Sequence, residues 1–215
     1  MQRPFIGDSG RPFGTVAALF CLLLTVAMIV LGDVSHDLAG GADPFAVIAR
    51  NRLDAGQAWW GLLLASEIVR CVFAGAMLLA MLTLAVPIGP RTPGRFVALF
   101  AGAAGVLCLG VAAHFTIEAA AWLGMGRVSP RGDLVALLLL LGHTGVALWA
   151  TLTVREARMA ASLPGWVQLA GLLFAGLVFI SGFARPFLEF AAFAGLLWWG
   201  GIFFTLYRPE DRATR

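Results

Sequence analysis

Six stretches of this chain run apolar for about 18 residues or more, the length a helix needs to cross a hydrocarbon layer of about 30 Å. They are Phe13–Leu31, Ala58–Val86, Phe96–Leu123, Leu134–Val154, Trp166–Phe183 and Phe187–Tyr207. No other feature constrains the fold as strongly. In lipid every backbone amide must find its partner within the protein, so only helices or closed barrels can span. The strict polar–apolar alternation of a barrel strand is absent. The expected fold class is therefore all-α, a polytopic membrane bundle of six transmembrane helices in one domain over residues 1–215. The second and third runs are longer than a bilayer requires, which implies tilt or extension beyond the hydrocarbon.

Composition excludes the alternatives. Apolar residues make up 60% of the chain and charged residues 13%, about half the charged share of a water-soluble domain. An ordinary soluble domain, a disordered chain and a nucleic-acid binder are all excluded. The net charge of +3 comes from arginines at turns. There is no lysine, and no basic cluster of the kind a phosphate backbone needs. Cys21, Cys71 and Cys108 each lie inside an apolar run, where a thiol is most simply a small buried hydrophobe. The odd number makes no disulfide framework. The first run follows Arg3 and Arg11 like a signal peptide, but it is too long and lacks a cleavage site, so an uncleaved first helix is expected.

Arginine placement orients the chain. Arg3, Arg11, Arg91, Arg95, Arg155, Arg158, Arg208, Arg212 and Arg215 fall on one side. Arg50, Arg52, Arg127, Arg131 and Arg185 fall on the other, together with Asp33, Asp37, Asp43, Asp54 and Asp133. The positive-inside rule then places both termini in the cytoplasm. Trp59, Trp60 and Trp122 would sit at the outer interface and Trp166 at the inner one. In the long outer loop, Asp43-Pro44 reads as a helix start. Phe45, Ile48 and Ala49 then recur at helical spacing, which predicts a short amphipathic surface helix over 44–54, with an ordered loop as the alternative. The other turns are short, so consecutive helices should be antiparallel neighbours. Gly102, Gly105, Gly110, Gly142, Gly145, Gly171, Gly176 and Gly195 would allow close helix approach. No internal repeat of the transporter type is visible.

Ionisable groups inside the spans are the candidate functional residues, because each costs on the order of 2.5–3.5 kcal/mol at the bilayer centre unless paired or wet. They are Glu67 and Arg70 on the second helix, His114 and Glu118 on the third, His143 on the fourth, and Glu189 near the outer end of the sixth. At 1.5 Å per residue, Glu67, His114 and His143 all fall roughly 14 Å below the outer ends of their helices. Glu67 and Arg70 are i, i+3; His114 and Glu118 are i, i+4; each pair shares a helix face. If those faces meet, helices two, three and four enclose one polar pocket of Glu67, Arg70, His114, Glu118 and His143. The flanking glycines of Leu141-Gly-His-Thr-Gly145 would admit another helix or a ligand. The plainer readings are an intrahelical Glu67–Arg70 ion pair, a helix-tying His114–Glu118 hydrogen bond, and a satisfied core His143.

The leading functional expectation is an outer-half pocket for a proton, an ion or a small polar ligand in a non-catalytic sensor, carrier or accessory protein. A second reading makes His114 and His143 the axial ligands of one b-type haem between helices three and four. A third has His114, Glu118, His143 and Glu67 bind zinc or iron in an intramembrane enzyme, without any His-Glu-x-x-His motif. A fourth is a structural or assembly subunit of a larger membrane complex. It draws on the aromatic sixth helix, where Phe187, Phe190, Phe193, Trp198, Trp199, Phe203, Phe204 and Tyr207 suit lipid exposure, pigment or a partner. No nucleophile–base pair, phosphate loop or cofactor fingerprint is present.

The fifth span opens Leu163-Pro164-Gly165-Trp166 and continues Val-Gln-Leu-Ala-Gly171-Leu-Leu. The second carries Leu64-Ala-Ser-Glu67 after an acidic loop and a short arginine-bearing segment. In these segments and in layout the chain resembles a family of bacterial six-helix membrane proteins catalogued as a domain of unknown function. That resemblance implies a bacterial inner membrane and six helices, and carries over no catalytic residue.

Overall fold

A computed structural model describes residues 11–38, 57–88, 93–124, 132–184 and 187–207. The described residues are helical throughout, apart from the turns that join the last three helices. The helices are α1 (Arg11–Leu38), α2 (Gln57–Ile88), α3 (Pro93–Gly124), α4 (Gly132–Met159), α5 (Gly165–Ser181) and α6 (Phe187–Tyr207). Each expected span lies within or close to one of them. Five are long and apolar enough to cross a membrane; α5, at 17 residues, is apolar but shorter. The expected surface helix at 44–54 lies outside the described residues.

Consecutive helices pack against one another, and α6 returns to pack against α1, so the six close into a ring. Across the ring, among the described residues, α2 and α4 also touch, though far more lightly than neighbouring helices do. Large apolar side chains such as Phe100, Leu107, Leu137, Phe190 and Phe204 are exposed on the outside. In water such a surface would drive association; in a bilayer it is the solvated face.

The ring is filled by aromatic rings. Trp198 and Trp199 are both 0% exposed, and Trp149 is nearly as buried. Ring centroids lie 5.0 Å apart for Trp198–Trp199, 5.2 Å for Trp149–Trp198 and 5.1 Å for Phe174–Trp198. The aromatics of the sixth helix divide between two faces. Phe187, Phe190, Phe193, Phe204 and Tyr207 do lie on the exposed side, but both tryptophans turn inward. Their room comes from small residues opposite. A Cβ on Gly171 would fall 2.7 Å from the Trp198 indole nitrogen, and one on Gly102 would fall 2.8 Å from Trp149.

The closest approach is between α3 and α4. A Cβ on Gly105 would come within 2.8 Å of the Gly142 carbonyl oxygen, and one on Gly145 within 2.6 Å of the Ala101 carbonyl oxygen. These two helices are therefore in backbone contact, as small residues permit in lipid. Threonines at depth answer their own helices: Thr25 donates to the Cys21 carbonyl at 2.7 Å, and Thr116 to that of Ala112 at 2.9 Å. A hydroxyl bonded back to i−4 needs no partner from lipid.

α4 ends in a Schellman motif. The Ser162 amide donates to the Ala157 carbonyl and the Ala161 amide to that of Arg158. The left-handed position falls on Ala161, with φ 48°, where glycine is usual. Pro164 then precedes α5, and the Gln168 side-chain amide donates back to the Leu163 carbonyl at 2.8 Å.

Candidate functional site

The polar groups are positioned by α2 and α4, the two helices that touch across the ring. Glu67 is 2% exposed, and its Oε1 accepts a hydrogen bond from Arg70 Nη1 at 2.7 Å. The i, i+3 spacing stacks both groups on one face of α2. Arg70 remains one-third exposed (33%), so its guanidinium neutralises a buried carboxylate while part of it stays at the surface of the bundle. The plainer expectation for this pair, an intrahelical ion pair, is what the geometry contains.

His143 of α4 is half-buried. Its Nδ1–H donates to the Leu139 carbonyl at 2.7 Å. A carbonyl only accepts, so in the neutral ring Nδ1 holds the proton and Nε2 carries the free lone pair. Among the described residues that Nε2 makes no hydrogen bond. The buried carboxylate–guanidinium pair on α2 and the imidazole with an available lone pair on α4 thus stand on the two helices that contact across the ring.

The other expected members go elsewhere. His114 is exposed. It lies nine residues beyond Gly105, and nine steps of about 100° place it half a turn round from the face that touches α4. It shares its side of α3 with Phe100, Leu107 and Val111, all exposed. Levels also separate. Gly142 packs on Leu109, so His114, five residues farther along α3, lies about 7 Å nearer the α3 C-terminus than His143's neighbourhood. Glu118, one turn beyond His114, is half-buried on the same side. The glycines beside His143 admit α3. Since α3 and α4 are in backbone contact there and the two imidazoles do not face a common space, the geometry does not support a haem held between His114 and His143. Among the described residues, no three or more His, Cys, Asp or Glu side chains stand together as a metal would require, so His114, Glu118, His143 and Glu67 are not assembled as a ligand set. Glu189, in the first turn of α6, is exposed.

Two features escaped the sequence reading. Glu156 is buried, although its neighbours Arg155 and Arg158 are exposed as expected of turn-marking arginines. The signal was available: in the run Arg155-Glu156-Ala157-Arg158, Glu156 continues the face of Gly145 and Trp149, which packs on α3. The second is the tryptophan cluster, whose Trp198 and Trp199 indole N–H groups find no acceptor among the described residues.

Comparison with family models, with curated proteins and with solved structures finds no match to this chain.

Proposed function

We propose that Glu67, Arg70 and His143 form a polar site that takes up a proton or a small polar solute, in a non-catalytic sensor, carrier or accessory protein of a bacterial inner membrane. One observation carries the reading. A carboxylate almost fully withdrawn from solvent is balanced by an arginine on its own helix, and that helix contacts, across the ring, the helix that carries the His143 imidazole. Ionisable groups are expensive in a membrane bundle, and protonation of His143 would upset a local balance that is otherwise neutral. All six helices span in this reading, with both termini cytoplasmic by arginine placement. The loose family resemblance supports the bacterial assignment.

The test is a nitrogen-15 NMR titration of histidine-labelled protein in lipid nanodiscs. The expected result is a His143 signal, absent from His143→Gln, that starts as the Nδ1–H tautomer and converts to imidazolium as pH is lowered. Glu67→Gln, which leaves Arg70 without its carboxylate partner, moves that titration. A His143 ring that neither titrates nor responds to Glu67→Gln overturns the proposal.

A further inference from the structure

The α5–α6 hairpin is the low part of the ring wall. α5 has 17 residues against 28 in α4 and 32 in each of α2 and α3. The contacts show where it stops. Gly182, the residue that caps α5, abuts His143 and Leu140 of α4, with both side chains 3.3 Å from where its Cβ would be. α4 continues past this point to Gly132, another 8 to 11 residues, or about 12–16 Å.

One stripe of α4 records the consequence. Ala136, Leu140, His143, Ala147 and Val154 recur at i+3, i+4 and i+7 steps and share the α5-facing side, with Asp133 at its edge in line with the exposed Thr151. Val154 and Ala147 are buried beneath α5, Leu140 and His143 are half-buried at its end, and Ala136 and Asp133 are exposed. The same helix face therefore passes from covered to open within three turns, and the change occurs at His143. Its open end carries a carboxylate and a methyl group. Its closed end carries His143, whose Nε2 makes no hydrogen bond among the described residues, and α2, which contacts α4, carries the one-third-exposed Arg70. Polar groups at both ends of so short a step favour water over an acyl chain.

We infer that the step above the α5–α6 hairpin is a water-filled vestibule, entered from the end of the bundle that carries this hairpin, through which protons and small hydrophilic solutes reach His143. The inference rests on the polar site proposed above and gives it a ligand class: water-borne and small, not delivered through lipid. The ionisable groups that α2, the helix contacting α4 across the ring, carries at this depth are Glu67, Arg70 and Cys71. α5 and α3 present Gly182, Gly105 and Leu109 near it, none of them titratable.

Single cysteines test this in a background carrying Cys21→Ala, Cys71→Ser and Cys108→Ala, in nanodiscs, with a permanently charged methanethiosulfonate reagent. Only a water-solvated thiol forms the reactive thiolate, so Ala136→Cys and Leu140→Cys are expected to react at least about tenfold faster than Leu137→Cys and Leu141→Cys on the lipid side of the same turns. Equal rates, or an inert Ala136→Cys, overturn the vestibule. Hydroxyl-radical footprinting of the unaltered chain reads the same path without substitution. More oxidation at Leu140 than at Leu141 supports it, and the reverse overturns it. Reactive cysteines beside a His143 that does not titrate would keep the vestibule and remove the proton site; a titrating His143 beside inert cysteines would do the opposite.

Discussion

Arg70→Ala isolates the energetics of the site. The substitution leaves Glu67 in place, 2% exposed, without the guanidinium now 2.7 Å away. Breaking a buried pair from one side typically costs about 3–5 kcal/mol when the remaining group stays charged. That range sets the scale, so Arg70→Ala should be destabilised by about 3 kcal/mol. Adding Glu67→Gln removes the charge and should recover most of that loss, to within about 1 kcal/mol of wild type. Denaturant titration in mild detergent measures this through tryptophan fluorescence, since Trp149, Trp198 and Trp199 all sit in the interior. An Arg70→Ala variant as stable as wild type at pH 7, or one that Glu67→Gln makes worse, would refute the reasoning.

Three further outcomes are expected. Gly145→Ala places a methyl 2.6 Å from the Ala101 carbonyl oxygen and should cost about 1–3 kcal/mol by forcing α3 from α4. Gly176→Ala, with open space around its Cβ, should be neutral or gain up to about 1 kcal/mol; paired thermal melts in one detergent compare them. Ala161→Gly relieves the positive φ of the Schellman turn and should raise the melting temperature, a gain of about 0.5–1 kcal/mol after the entropy of the unfolded chain is set against it; Ala161→Val should lower it. Trp198→Ala should cost about 3–5 kcal/mol through the lost ring contacts. Trp198→Phe should cost clearly less in the same melts, because it keeps much of the ring while removing an N–H that has no acceptor among the described residues.

The site shows how far a helical register can be read without coordinates. The Glu67–Arg70 pair was legible because both groups lie on one helix, where i, i+3 spacing alone makes them neighbours. His143 was legible as an ionisable group at depth, but the contact of its helix with that of Arg70, across the ring, is a tertiary one. His114 met the same depth criterion and turned out to face away. Depth along a helix axis follows from counting residues; azimuth depends on which side packs against a neighbour. The half-turn between Gly105 and His114 could have been computed from the chain. Its meaning required knowing that Gly105 is the α4 side.

The six described helices lie where the long apolar runs of the chain place them, because a long apolar run has one stable solution in lipid and short turns force antiparallel neighbours. Tertiary structure decided the rest: closure of α6 onto α1, the inward turn of Trp198 and Trp199, the glycine contact of α3 with α4, and the end of α5 against His143. The physical reason is common to all four. The lipid-facing and core-facing sides of a membrane helix are both apolar, so hydrophobic pattern does not distinguish them. Side-chain size and shape choose the neighbours, through contacts between residues distant in the chain.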